Sequence, residues 1–322
     1  MIIPLLEQEL SIYGIGASTE SDYNNELTVC PVWKCNSQGM NRIDDKVIPE
    51  DKNEVRLFMV GIDAAELIPH LFKHYFNIGV DRIFYIDNDS TDDSLDILAK
   101  YEKVHVWLQD EPFSGYGTPA KSGAAWMESL MRDHGVGNWC LLADTDELFV
   151  YPGFESRSIR EFVAEQDSNE YDCITADFID MYSDKKVKDT IIDGSLLETC
   201  PYTDRDGGSC RERVLGFKPE MVKMPLFRFT TAITVNPGFH EVLGFQRMSD
   251  VKCTVLHFKF LSGLPARLEA HWHKMSGSEI KRVVYKNIGE VNFYDKEASI
   301  RFTTELGNIR PVEITDGREF KQ

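Results

Sequence analysis

The sequence has no apolar run approaching the roughly 18 residues that a membrane-crossing helix requires, which excludes a conventional span. It has no internal repeat and no low-complexity tract, so it reads as an ordinary globular chain. Positive charge is scarce: 35 Lys and Arg against 53 Asp and Glu leave a net charge of −18. A field of that sign repels a polyanion, which argues against nucleic acid as the main partner. A small anionic ligand stays open where a metal supplies local positive charge. The seven cysteines lack any tight CxxC spacing. A zinc site joining Cys30, Cys35, Cys200 and Cys210 therefore has little support. Cys140 and Cys173 lie in apolar runs, where a reduced thiol behaves as a small hydrophobe. The opening "MIIPLLEQEL" is interrupted by Pro4, Glu7 and Glu9 and reads as neither signal peptide nor span. The expectation is a cytoplasmic, reduced protein.

What is present is a length of 322 residues, 42% of them hydrophobic and 27% charged. That is enough for one large α/β domain or two modest ones. Residues 1–53 are polar and weakly periodic and read as an extension. From Val55 the pattern sharpens. "VRLFMVGI" reads as a strand and "PHLFKHYFNIG" as a helix, with Pro69 in its first turn and Gly79 as its stop. "DRIFYI" is the next strand, followed by a helix to about Lys100 that Ser90 or Thr91 can cap. "VHVWLQ", the helix "AKSGAAWMESLMRDHG" and the strand "NWCLLADTDELFV" complete the series. Trp126 and Met127 in that helix read as core. Further on, "SIREFVAEQ" reads as a helix, "YDCITADFIDMY" as a strand, and residues 264–287 as a helical tail.

Alternating strands and helices predict βαβ units and a mostly parallel, doubly wound sheet flanked by helices. Ligands of such sheets bind at the carboxyl ends of the strands. That rim gathers Gly61-Ile62-Asp63, the run Asp87-Asn88-Asp89-Ser90-Thr91-Asp92, and Asp144-Thr145-Asp146. Unpaired buried charge is costly, so these acids call for solvent, a cation or a hydrogen-bonded partner. Asp-x-Asp at a strand end brings two carboxylates to one divalent ion, and Mg²⁺ or Mn²⁺ commonly bridges such oxygens to phosphates. A lone pair of this kind is equally an ordinary turn. A second acid cluster on the same rim favours a site.

The order "GVDRIFYIDNDSTDDS" followed by "WCLLADTDELFV" resembles a family 2 glycosyltransferase of the GT-A fold, with its DNxSTD and DxDE segments. "DMY" at 180–182, "GGSCRERVLG" at 207–216 and "LHFKF" at 256–260 resemble a bacterial branch of that family. The resemblance covers roughly residues 55 to 290. It implies a GT-A domain over 54–290, an extension before it and a tail over 291–322. It also implies a nucleotide-sugar donor, a UDP-sugar first, and a glycan, lipid or protein acceptor. Gly61, Asp63 and Asp87 would line the base pocket, with Asn88 and Ser90 in the same segment. Asp144 and Thr145 would face the ribose or metal. Asp146 would hold Mn²⁺ or Mg²⁺, with His257 approaching from the far side, and Arg211 or Arg213 would face the phosphates. One departure stands out: where the family has Arg-Asn-Glu or Lys-Asn-Glu after the first strand, this chain reads Ile62-Asp63-Ala64.

Blander readings accompany these. His257, between Leu256 and Phe258, also fits a core histidine, Lys259 a snorkelling strand lysine, and Arg211 and Arg213 surface ion pairs. His271 and His273, two apart on a helix, do not converge on one ion and read as partner or acceptor surface. Family 2 enzymes invert the anomeric carbon in one displacement, which needs a general base and a Lewis acid on the leaving group. Glu241 of "GFHEV" and Asp180 of "FIDMY" are the candidate bases. The alternative is a non-catalytic metal-dependent nucleotide- or phosphate-binding module. A receiver-type phosphoacceptor would finish near 120 residues, well short of this chain.

Overall fold

The computed structural model describes residues 39–111, 123–205, 209–271 and 285–302. Expectations for residues 1–38, for Cys30 and Cys35, for Gly207-Gly208, for Trp272-His273 and for the last twenty residues lie outside that range. The strands are β1 (Asn41–Arg42), β2 (Val55–Gly61), β3 (Arg82–Asp87), β4 (Val104–Leu108), β5 (Trp139–Asp144), β6 (Glu147–Val150) and β7 (Cys173–Asp180). They continue as β8 (Tyr202–Asp204), β9 (Val222–Arg228), β10 (Thr234–Val235), β11 (Val242–Leu243), β12 (Cys253–His257) and β13 (Ser299–Arg301). The helices are α1 (Ile68–Asn77), α2 (Ser94–Leu98), α3 (Gly123–His134), α4 (Ile159–Ser168), α5 (Leu196–Thr199), α6 (Cys210–Leu215) and α7 (Leu264–His271).

Nine strands form one central sheet in the order β1-β4-β3-β2-β5-β9-β7-β12-β6. The block β4-β3-β2-β5 is parallel, as is β7 with β12, while β9, β6 and β1 run antiparallel to their neighbours. The mixed α/β architecture with helices on both faces of a large sheet is therefore present. Period-two alternation on β2 explains the layering. Val55, Leu57 and Met59 join Leu71, Phe72 and Tyr75 of α1 and Phe162 of α4 on one face. Phe58 and Val60 join Trp126, Met127 and Leu130 of α3 on the other. Strand order turns back at β2, since β3 and β4 stack to one side and β5 to the other. The crevice at the ends of β2 and β5 is where a ligand is expected.

Three expectations change. The strand "NWCLLADTDELFV" is two strands: β5 ends at Asp144, the chain turns through Thr145 and Asp146, and β6 pairs with β12 at the far edge of the sheet. The helix after β3 starts at Ser94 rather than being capped by Ser90 or Thr91. Those two residues bond the turn after β2 instead: Asp63 N–H donates to Ser90 Oγ and Thr91 N–H donates to Asp63 Oδ1. The polar segments at either end also carry structure. Residues 41–42 pair with β4, and β13 pairs with β8.

Candidate active site

Strand register brings the chemistry together. Across β6, β12 and β7, His257 lies opposite Glu147 on one side and Asp180 on the other. The turn between β5 and β6 folds Asp146 over this row, and Phe258 N–H donates to Asp146 carbonyl oxygen at 2.7 Å. Asp146, Glu147 and His257 each present a ligand atom, all within 4.8 Å of one another. His257 Nδ1 is 2.7 Å from Asp180 Oδ1, and its Nε2 is 3.5 Å from Asp146 Oδ2. Asp180 is therefore positioned to accept from Nδ1–H, which leaves Nε2 facing Asp146.

Each charge has a physical account. Asp180 is buried, which by itself would raise its pKa, but the bond from His257 and the Arg211 guanidinium hold it at about 2. Arg211 Nε donates to Asp180 Oδ2 at 2.8 Å, while its buried Nη2 has no partner among the described residues. Burial also opposes ionisation of Asp146, yet the charge of His257, with Lys259 and Arg267 behind it, holds that carboxyl far below the usual range. In return, Asp146 and Asp180 raise the His257 pKa against the opposing effect of its burial.

Lys223 enters from β9. Its ammonium pairs with Glu147, lies 3.4 Å from Asp144 Oδ2, and sits 4.6 Å from the centre of the Phe178 ring. Burial pushes the Glu147 pKa up, with Lys223 opposing; burial of Lys223 is outweighed by the two acids, which raise its pKa. Sequence reading missed this lysine. Its signal was a cation inside the apolar strand "VKMPLF", where a lysine is rarely buried without a partner.

This arrangement fits a divalent ion. Asp144 and Glu147 pair with Lys223, Asp180 with Arg211, and Asp146 with His257, so four carboxylates face two permanent cations and two negative charges remain when His257 is neutral. The donor set of carboxylate oxygens and one oriented imidazole suits a divalent cation. Asp146 and His257 would supply the ligands, with Asp144, whose side chain is 40% exposed, open to join them. Glu147 is committed to Lys223.

The second cluster lies at the ends of β2 and β3. Asp87 is buried; its Oδ1 accepts from Ser90 N–H at 2.9 Å and its Oδ2 has no partner among the described residues. Burial raises its pKa. The buried Tyr85 hydroxyl is likewise unpartnered. Between them Gly61 has no room for a side chain: a Cβ there would fall 2.0 Å from Tyr85 Oη and 2.6 Å from Thr145 Cγ2. Gly61, Tyr85 and Thr145 therefore meet at the crevice.

Other expected residues serve the frame. Asp63 adopts φ 45°, and its carboxylate accepts from Thr91 and Asp92 N–H and contacts His271 Nε2 at 2.5 Å. His271 is thus a buried latch rather than open surface, because it fills the gap between α7 and the two turns. Asn88 Nδ2 donates to the Gln109 and Glu111 carbonyls and ties β3 to the chain after β4. Arg213 is paired with Asp204 through both its Nε and Nη2 and also reaches Phe293 carbonyl oxygen. That holds it to β8, away from a phosphate role. Asp180, expected as a base, has both oxygens engaged, Oδ1 by His257 and Oδ2 by Arg211. Glu241 is exposed in the β10–β11 hairpin and bonded to Asn236 Nδ2 at 2.5 Å. The same hairpin region carries Phe239, whose ring centre is 5.3 Å from Lys223 Nζ. The five described cysteines are free and buried in separate places, and none joins a zinc cluster among the described residues.

No protein-family model matches this sequence, and no curated protein matches it. Solved structures similar to it include S. aureus TarS 1-349, with TM-score 0.38 and 14% identity over 69% of this chain and 65% of that one. S. aureus TarS matches with TM-score 0.37 and 14% identity, over 63% of this chain and 36% of that one. S. aureus TarS 1-349 in complex with UDP matches with TM-score 0.30 and 15% identity, over 45% and 39%. The chain spans less than two thirds of the length of each. Scores this low carry no weight on their own, and function is read from this chain's residues.

Proposed function

We propose that this protein is a glycosyltransferase that binds a nucleotide-diphosphate sugar, a UDP-sugar first, and transfers the sugar with inversion in a divalent-metal-dependent reaction. The observation that carries this reading is the row Glu147–His257–Asp180 across three strands, with Asp146 folded over it at the strand-end turn. The DNDSTD and DTDE segments that resemble family 2 enzymes lie at the ends of β3 and β5, on the rim where a parallel block places ligands.

The roles follow from the contacts. Asp87 Oδ2, buried beside Gly61 with no partner among the described residues, receives a donor from the base. Asp146 and His257 hold the ion, with Asp144 open to complete the set. A bound Mn²⁺ or Mg²⁺ supplies Lewis acidity toward the leaving diphosphate. Asp180 fixes the His257 ring, and Arg211 Nη2, buried without a partner, adds positive charge. In the transfer, the acceptor oxygen forms a bond to the anomeric carbon while the bond to the phosphate oxygen breaks, and its electron pair leaves with the nucleoside diphosphate. The acceptor proton passes to a base. With Asp180 committed, Glu241 is the carboxylate proposed for that step.

Calorimetry of UDP binding with and without Mn²⁺, on wild type and Asp146→Asn, tests the reading. Wild type should bind more tightly with the ion, and the variant should lose that gain while keeping its fold by circular dichroism. A variant that binds UDP with Mn²⁺ as tightly as wild type removes the metal assignment.

A further inference from the structure

A cleft of about 510 Å³ opens beyond the carboxyl end of β7, and none of the residues at the Gly61–Tyr85–Thr145 crevice lines it. Its size falls within the range of ligand sites, roughly 300–1,000 Å³, but its walls are mostly polar where most such sites are apolar. Two of its walls continue from strands that carry the metal row. Ser183 lies three residues past Asp180, at most about 11 Å of extended chain. Thr190 carbonyl oxygen accepts from Ser262 N–H at 2.9 Å, and Ser262 lies five residues past His257.

The lining carries spare hydrogen-bonding capacity of both kinds. The Lys185 ammonium, the Asp193 carboxylate, the Tyr202 hydroxyl and the Arg301 guanidinium all border the cleft. None has a hydrogen-bond partner among the described residues. Ile191, 66% exposed, adds an apolar surface beside them. Asp184, Asp193 and Glu198 against Lys185 and Arg301 leave the lining one negative charge in excess, which disfavours a polyanion. One exposed isoleucine is too little for an acyl chain, since burying a methylene yields only about 0.8 kcal/mol. A ligand whose hydroxyls each donate and accept can satisfy Lys185, Asp193, Tyr202 and Arg301 together, and its C–H face can lie on Ile191.

We infer that this cleft binds an uncharged oligosaccharide, which serves as the acceptor for the proposed transfer. The acceptor role rests on the proposed function; the binding of a neutral saccharide in the cleft does not.

The test is saturation-transfer NMR and calorimetry with neutral pentasaccharides (cello-, malto- and chito-series), a sulfated oligosaccharide and a polar peptide. Wild type, Ile191→Glu and Arg301→Ala are compared, all altered at exposed positions, with UDP and Mn²⁺ titrated separately into each. Saturable binding of a neutral pentasaccharide, weakened about ten-fold or more in both variants with UDP binding unchanged, is the expected result. Variants that bind the saccharide as wild type does overturn the cleft assignment. A sulfated or peptide probe bound in place of every neutral one overturns the ligand class. Variant-sensitive saccharide binding in a protein that ignores UDP would uphold the cleft and remove the donor reading instead.

Discussion

His257 Nδ1 sits 2.7 Å from Asp180 Oδ1, on a neighbouring parallel strand, with both residues buried. A histidine placed this way has one nitrogen committed and one aimed. Removing the orienting acceptor should therefore loosen metal binding without deleting a ligand. Asp180→Asn is expected to lower Mn²⁺ affinity about 10- to 100-fold, the usual effect of losing such a partner. Mn²⁺ titration against UDP affinity checks this, with His257→Ala as the reference for full loss. An Asp180→Asn protein with wild-type Mn²⁺ affinity would return His257 to the role of a core histidine.

The same contacts set a pH dependence. Asp146 and Asp180 raise the His257 pKa, so its charged form stabilises the metal-free fold fully below about pH 6.5. That contribution is lost as pH rises through the raised value. Metal binding runs the other way, because the ion must displace the proton. Thermal unfolding scans across neutral pH should show metal-free stability falling as Mn²⁺-induced stabilisation grows, and His257→Gln should flatten both trends. Asp180, held at about 2, adds stability present above the usual carboxylate pKa and lost as pH falls through the folded one.

Lys223 neutralises Glu147 in a site where neither side chain reaches solvent. Lys223→Met leaves a buried carboxylate unpaired and should cost about 3–5 kcal/mol of stability. Adding Glu147→Gln should recover much of it, because the charge that lost its partner is then gone. Denaturant unfolding of the two single variants and the double variant measures the coupling. Additive losses would mean that the pair contributes nothing.

Gly61 lies against Tyr85 and Thr145, between the proposed base pocket and the proposed metal-binding turn. Gly61→Ala would place a methyl 2.0 Å from Tyr85 Oη. Overpacking of this kind costs about 1–3 kcal/mol and displaces Tyr85 or Thr145. Binding of UMP without metal should weaken in this variant and in Asp87→Ala, with Mn²⁺ affinity kept in Asp87→Ala. UMP affinity at the wild-type level in Asp87→Ala would remove that carboxylate from the pocket.

The sequence by itself determined the elements whose causes are local. The short apolar runs "VRLFMVGI" and "DRIFYI", Pro69 in the first turn of α1 and the Ser158–Glu161 capping box of α4 all lie within a few residues of the structure they produce. The same local chemistry marked Asp87, Asp144 and Asp146 as strand-end acids. Only the tertiary structure decided which acids share partners. The placing of β6 against β12 at the far edge joins residues more than a hundred apart, and the register that sets His257 beside Asp180 joins residues 77 apart. No local pattern encodes them, since a strand's alternation says which face a side chain takes and not which strand lies beside it. For the same reason Lys223 went unread in the sequence, and Asp180 read as a candidate base. Packing gave the lysine two acids and the aspartate a histidine and an arginine.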